Sequence, residues 1–83
     1  MASRKEGVPM GGGYYTDLKK FDSKKLSREM FILKKNNSGN FTILGSYTIA
    51  NKKASKLNWS ETPKTTSEER TKIAKIIDNY EKL

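Results

Sequence analysis

Clustered lysines are the residues of this chain best suited to chemistry, and that chemistry is the binding of a polyanion. The 83 residues carry a formal net charge of +8 at pH 7, from 17 Lys or Arg against 9 Asp or Glu. Basic residues outnumber acidic ones by nine to four in residues 1–37 and by four to one in residues 38–66, whereas residues 67–83 hold four of each. A basic field favours polyanions, with nucleic acid first among them. The alternative is that the lysines only keep the fold in solution.

Nine residues carry a positive charge or an aromatic ring and are predicted to lie on or beside a β-sheet. We predict that these residues contact nucleic acid. Lysine binds phosphate whatever the base, and aromatic rings stack on any base. The cations are Lys34 and Lys35, Lys52, Lys53 and Lys56, and Lys19 and Lys20, and the rings are Tyr47 and Trp59. Each lysine alone fits a solvated surface charge, and the only tryptophan fits a buried core position. The prediction therefore depends on the clustering.

The composition removes most catalytic and metal-binding classes of protein. The chain has no cysteine and no histidine, which excludes thiolate chemistry and removes the commonest general base and metal ligand. The carboxylates of Asp17, Asp22, Glu29 and Glu61 are scattered, without the spacing of a carboxylate pair or of a nucleophile beside its base. We therefore predict a protein that is not an enzyme and uses no metal or cofactor.

A central β-hairpin over residues 30–50 is predicted to position the lysines. An apolar run, Met30–Leu33, is followed by a polar stretch at 36–40 and then by a second β-rich run, Phe41–Ala50. The second run alternates, which predicts a strand with Phe41, Ile43, Gly45, Tyr47 and Ile49 on one face. Whether the core side of the first strand carries Ile32, or Phe31 and Leu33, depends on a register that the sequence leaves open.

A C-terminal helix over about residues 67–82 is the clearest element of the sequence. Thr66 and Glu69 have the spacing of a capping box, in which each side chain accepts from a free N–H of the first turn. The apolar residues Ile73, Ile76, Ile77, Tyr80 and Leu83 then recur every three or four positions. This stripe predicts that the helix packs on one face of the sheet.

The remaining segments complete a small α+β domain. Residues 1–13 contain four of the six glycines and predict a flexible basic arm, so that the folded domain spans 14–83. Residues 14–21 fit a strand somewhat better than a short helix, 22–25 fit a turn, and 57–59 fit a brief strand. The predicted fold is a small antiparallel sheet of three to four strands followed by one helix.

This order of elements resembles the single-stranded-DNA-binding domain of the positive cofactor four family of transcriptional coactivators. Phe31-Ile32 falls on the second-strand pair of that family, Lys35 on a basic strand end, Gly39–Ile43 on its glycine turn and third strand, and Thr66–Glu69 on its helix opening. Asn58–Thr65 stands where the family carries its lysine-rich signature. The resemblance implies a homodimer that binds single strands on its sheets.

We therefore predict a small non-enzymatic protein that binds nucleic acid, with single-stranded DNA or RNA preferred. The alternative is a phage or mobile-element protein that binds and modulates a host protein, by adding a strand at the hairpin edge. No apolar stretch approaches the roughly 20 residues needed to span a bilayer. The beginning of the sequence also lacks the apolar core of a signal peptide. We expect no membrane association and a cytoplasmic location.

Overall fold

The computed structural model describes residues 3–4, 6–50, 53–54, 57–61 and 64–81. Within these ranges an antiparallel sheet is followed by one helix, which confirms the predicted α+β class. The strands are β1 (Ser3–Arg4), β2 (Val8–Gly11), β3 (Tyr14–Asp22), β4 (Ser27–Lys35), β5 (Phe41–Ala50), β6 (Lys53–Ala54) and β7 (Asn58–Trp59), and the helix is α1 (Ser67–Tyr80). The order across the sheet is β1-β5-β4-β3-β2, and β6 and β7 also pair with β5.

Two side-chain-capped turns connect the three long strands. The Asp22 carboxylate accepts hydrogen bonds from the backbone N–H groups of Lys24 and Lys25, at 3.0 and 3.2 Å, and closes the β3–β4 turn. In the β4–β5 loop the Asn36 side chain accepts from the backbone N–H groups of Ser38 and Asn40, at 3.0 and 3.1 Å. Asp and Asn favour such turns because their side chains hydrogen-bond backbone groups two to four residues ahead. The predicted hairpin, the strand at 14–21 and the turn at 22–25 are confirmed.

A β-bulge in β5 makes the predicted alternation wrong for the first half of that strand. Ile32 pairs with Gly45 but the next residue, Leu33, pairs with Ile43, so Leu44 is an extra residue. An extra residue reverses the faces of all residues before it. Phe41 and Ile43 consequently lie on the opposite face of the sheet from Tyr47 and Ile49, because a strict period of two cannot be counted across a bulge.

Both faces of β4 contribute buried residues, so neither of the two registers that the sequence left open gives the whole core. Met30 and Ile32 lie under the helix, in a cluster that consists of Tyr14, Met30, Ile32, Leu44, Tyr47, Ile49, Ile73 and Ile77. Leu33 lies on the other face and is also fully buried. Around it are the rings of Tyr15 and Phe41, whose centroids are 4.8 Å apart.

The segment predicted as a flexible arm, residues 1–13, contributes β1 and β2 to opposite edges of the sheet. Ser3 and Arg4 pair with Thr42 and Phe41, while β2 pairs with the beginning of β3. Only residues 5–7 join the two strands, and four residue steps span at most about 14 Å. A flat sheet of five strands is about 19 Å wide. The sheet is therefore strongly curled here, and a Cβ on Gly7 would lie 3.3 Å from the Leu33 side chain.

The helix is held at its start by the predicted N-cap. Thr66 is extended, and its side chain accepts a hydrogen bond of 3.1 Å from the backbone N–H of Glu69. Ile73 and Ile77 are fully buried against the sheet, as the stripe predicted, and α1 ends at Tyr80. In the described part of the chain, no helix is long and apolar enough to cross a membrane.

Candidate nucleic-acid interface

A basic groove runs along the N-terminal half of α1. It consists of two adjoining pockets of about 300 and 590 Å³, and Lys64 lines both of them. The first pocket lies between the β4–β5 loop and the start of the helix, and the second lies beside β7. We call this surface the helix-start groove. Its charged and aromatic lining is formed by Lys34, Lys35, Trp59, Glu61, Lys64, Glu69 and Arg70.

Lys34 is held in the groove by a carboxylate of the helix. Its ammonium lies 3.3 Å from the Glu69 carboxylate, which also accepts a hydrogen bond of 2.7 Å from the Tyr14 hydroxyl. The bond from Tyr14, helped by the charge of Lys34, holds the pKa of Glu69 below its usual value, although partial burial opposes this shift. Burial and the bond to Glu69 raise the pKa of Tyr14 to about 12. Glu69 is therefore a fixed negative charge that orients Lys34.

Trp59 is positioned by an unusual glycine in the sheet. β7 pairs with β5 through Gly45, and a Cβ at Gly45 would collide with the carbonyl oxygen of Asn58. This close approach lets Trp59 pack against the core while part of its ring lines the groove. The Arg70 guanidinium lies 5.4 Å from the ring centroid, and its Nε donates a hydrogen bond of 2.7 Å to the Thr65 hydroxyl. The ring and the cation form a cation–π pair at the wall of the groove.

Two groove cations, Lys64 and Arg70, were missed from the sequence. Residues 67–83 carry no net charge, and this total hides the position of Arg70 at the sheet-facing side of the first turns. Arg70 falls four residues after the N-cap Thr66, a position that a helical projection places beside the helix start. The pairing of Arg70 with Trp59 depends on tertiary packing, so no local pattern indicates it.

The prediction that Tyr47 stacks on bases is wrong. Its side chain is fully buried, and its hydroxyl lies 2.7 Å from the Glu81 carboxylate and 3.3 Å from the Thr16 hydroxyl. Burial, together with the bond to Glu81, raises the pKa of the Tyr47 phenol above its usual value. Tyr47 lies on the helix-covered face because it follows the bulge, so no base can reach its ring.

Among the predicted contacts whose side chains the structure describes, it brings Lys34, Lys35 and Trp59 together. Lys34 and Lys35 leave β4 on opposite faces, because they are consecutive residues of a strand. Lys34 therefore contacts the helix, while Lys35 reaches the groove from the strand end.

The other predicted lysines lie elsewhere. Lys19 pairs with Glu29 at 3.5 Å, with its ammonium 5.8 Å from the Phe31 ring centroid. Lys20 lines a separate pocket towards the other end of β4, with Asp22, Lys25 and Glu29 among its neighbours. The backbone of Lys53, in β6, pairs with Ala50 of β5. Lys52 and Lys56 are outside the described residues.

Among residues 3–4, 6–50, 53–54, 57–61 and 64–81, no group of three or more acidic side chains is arranged to hold a metal ion. No protein-family model, curated protein or solved structure matches the chain. The resemblance to the positive cofactor four family stays a prediction.

Proposed function

We propose that this protein binds single-stranded nucleic acid in the helix-start groove. The observation that carries the proposal is the partly exposed Trp59 ring beside Arg70, in a groove that also contains Lys34, Lys35 and Lys64. The cations contact phosphates, and the ring stacks on a base. A single strand is preferred because its unpaired bases can turn towards the ring, whereas the bases of a duplex are already stacked on each other.

The charges of the groove support an anionic ligand. The groove contains four cations and two carboxylates, those of Glu61 and Glu69. The Glu69 carboxylate is already bound to Tyr14 and Lys34. The remaining positive charge attracts a phosphate backbone at any sequence, so affinity falls with salt. Such a ligand fits a cytoplasmic protein, and the homodimer implied by the family resemblance belongs to the same proposal.

The test is fluorescence anisotropy of a labelled 20-mer, single-stranded and duplex, titrated with the protein at several salt concentrations. We expect saturable binding that prefers the single strand. In the double variant Lys64→Ala/Arg70→Ala, affinity falls and the slope of log K against log salt decreases by about 1.4, since each contact with a single strand contributes about 0.7. The variant Lys20→Ala/Lys25→Ala removes the same charge from the separate pocket and is the matched control.

Two outcomes would overturn the proposal. One is weak binding that is equal for single strand and duplex and is lost at physiological salt, which would leave the charge of +8 with a solubilising role. The other is an equal loss in the groove variant and in the control variant, which would show that total charge rather than the groove determines affinity. Sedimentation of the same samples measures whether the protein is a dimer.

A further inference from the structure

The outer edge of β3 is covered over only part of its length. β2 pairs with Tyr14–Thr16, and the backbone N–H of Leu18 donates a hydrogen bond of 2.9 Å to the Asp17 carboxylate. In the described part of the chain no strand lies beside Lys19–Asp22 on that side. A strand edge without a neighbour presents backbone N–H and C=O groups that can pair with another extended chain. This edge, with the turn that follows it at 23–26, is called the β3 edge.

Apolar side chains accompany the β3 edge. Leu18 is 49% exposed and Phe21 is 57% exposed. They pair with Met30 and Arg28, so both side chains lie on the face of the sheet that carries the helix. In the adjoining turn Leu26 is 75% exposed and has a φ of 51°, a left-handed conformation that is sterically unfavourable for leucine. Exposed apolar side chains, and a residue held in an unfavourable backbone conformation as Leu26 is, are both typical of binding surfaces.

The charge of the β3 edge selects among possible occupants. Lys20, Lys24 and Lys25 are exposed and form no ion pair in the described part of the chain. They outnumber the nearby carboxylates of Asp22, which caps the turn, and Glu29, which pairs with Lys19. A second copy of the chain would bring these lysines against their own copies, which is unfavourable. A lipid surface would leave the backbone groups of the edge without partners, at a high free-energy cost. An acidic extended polypeptide satisfies both the charges and the backbone.

We propose that the β3 edge binds an extended, acidic segment of a partner protein, which adds a strand to the sheet beside Lys19–Asp22. Backbone hydrogen bonds provide affinity in this mode, and alternate side chains provide specificity. Apolar residues of the segment contact Leu18 and Phe21, and its carboxylates contact Lys20, Lys24 and Lys25. This surface lies at the end of β4 far from the helix-start groove, so it is independent of nucleic-acid binding.

The probe is a fluorescent peptide of alternating Glu and Val, added to the full chain and followed by anisotropy and by amide NMR shifts. We expect saturable binding with shifts concentrated in residues 17–26. Leu18→Ser/Phe21→Ser should weaken binding at least tenfold, and both residues are exposed, so the variant keeps its fold, as checked by circular dichroism. A peptide N-methylated at alternate amides should not bind, because it cannot complete a strand ladder.

Several outcomes would overturn this proposal. They are absence of saturable binding at millimolar peptide, full binding of the N-methylated peptide, and shifts located in the helix-start groove. Vesicles that contain phosphatidylserine, and duplex DNA, are tested in parallel with Leu18→Ser/Phe21→Ser. If that variant loses either of these ligands while the peptide does not bind the wild type, the edge serves a membrane or a nucleic acid instead. The groove variant Lys64→Ala/Arg70→Ala should bind the peptide normally, which separates the two proposals.

Discussion

The Tyr47 hydroxyl donates a hydrogen bond of 2.7 Å to the carboxylate of Glu81, 34 residues further along the chain. Glu81 directly follows α1, and its carboxylate also accepts a hydrogen bond of 2.9 Å from Arg28 of β4. The Tyr47–Glu81 side of this network is buried, so its bonds are shielded from water. The end of the helix is therefore fixed to the middle of the sheet by two strands at once.

Tyr47→Phe removes only the hydroxyl from this network. We expect the free energy of unfolding to fall by about 1–2 kcal/mol, because a buried hydrogen bond to a charged acceptor is lost while the ring still fills the core. Urea unfolding at pH 7 measures the change. Tyr80→Phe, at an exposed position of the helix end, is the control and should leave stability unchanged. Equal midpoints for all three proteins would mean that the hydrogen bond contributes no net stability.

Tyr14→Phe tests how the Glu69 carboxylate of the helix-start groove contributes to the stability of the fold at acidic pH. The bond from Tyr14 is the main reason why the pKa of Glu69 is lowered in the folded protein. A carboxyl group with a lowered pKa stabilises the fold at any pH above its ordinary pKa of 4.5. This contribution is lost as the pH falls through the pKa that the group has in the folded protein. The stability difference between wild type and Tyr14→Phe should therefore be present at pH 7 and shrink below about pH 4.5.

The acid-side measurement is urea unfolding between pH 3 and pH 7. Tyr15→Phe is the matched control, since Tyr15 lies on the other face of the sheet, against Phe41. It should differ from wild type by an amount that does not change with pH. A Tyr14→Phe difference that stays constant from pH 7 to pH 3 would contradict the coupling of Tyr14 to Glu69.

The raised pKa of Tyr14 predicts that the protein loses stability at alkaline pH. The pKa of Tyr14 is about 12 in the fold, against 10.0 for an ordinary phenol. Since the unfolded chain releases this proton first, stability should decline as pH rises from 10 towards 12. Tyr14→Phe should decline less steeply over this range, as followed by urea midpoints at stepwise pH. The burial of Tyr47 causes a decline of the same sign, so only the difference between the two proteins reports on Tyr14.

Leu26→Gly should stabilise the protein, although it removes an apolar side chain. Leu26 has a φ of 51° in the β3–β4 turn, and a left-handed conformation costs a non-glycine residue about 1–2 kcal/mol. Glycine relieves this cost but loses more chain entropy on folding, so we expect a net gain of about 0.5–1 kcal/mol in thermal or urea unfolding. Lys25→Gly, where φ is not positive, should instead destabilise. A loss of stability in Leu26→Gly would contradict the strain.

The sequence was sufficient for the elements formed by local chemistry. The side-chain caps at Asp22, Asn36 and Thr66, and the stripe through Ile73 and Ile77, act within a few residues, so the turns and the helix could be located. The sequence could not show which residues of β5 share a face, because the extra residue, Leu44, is defined only by the pairing of β5 with β4.

The candidate site was predicted less completely than the fold, for the same reason. Lys34 and Lys35 were found because they adjoin in sequence at a strand end. Arg70 was missed because its contact with Trp59 joins segments that are distant in the chain. The glycines at 11–13 belong to the segment predicted as a flexible arm, whereas Gly12 and Gly13 form a tight turn with positive φ between β2 and β3. Such a turn indicates a hairpin only when the strands on both sides are recognised.

Gly45→Ala connects the packing of the sheet with the proposed function. An added Cβ would meet the backbone of Asn58 and Trp59, which cannot move aside as a flexible side chain does. We expect the free energy of unfolding to fall by about 1–3 kcal/mol, as for other overpacked sites. Because β7 pairs with β5 at Gly45, the strand should detach and the Trp59 emission should shift to longer wavelength.

The same variant should weaken binding of the single-stranded 20-mer although Gly45 lies outside the lining of the helix-start groove. The ring of Trp59 would no longer be held beside Arg70, while the cations that are proposed to contact phosphate remain in place. Affinity should therefore fall with little change in the salt slope, whereas Lys64→Ala/Arg70→Ala should lower both the affinity and the slope. Gly39→Asn is the control, since Gly39 has a φ of 87° and open space around it, and asparagine tolerates that conformation. Unchanged binding in Gly45→Ala, with a shifted Trp59 emission, would show that Trp59 does not contact the ligand.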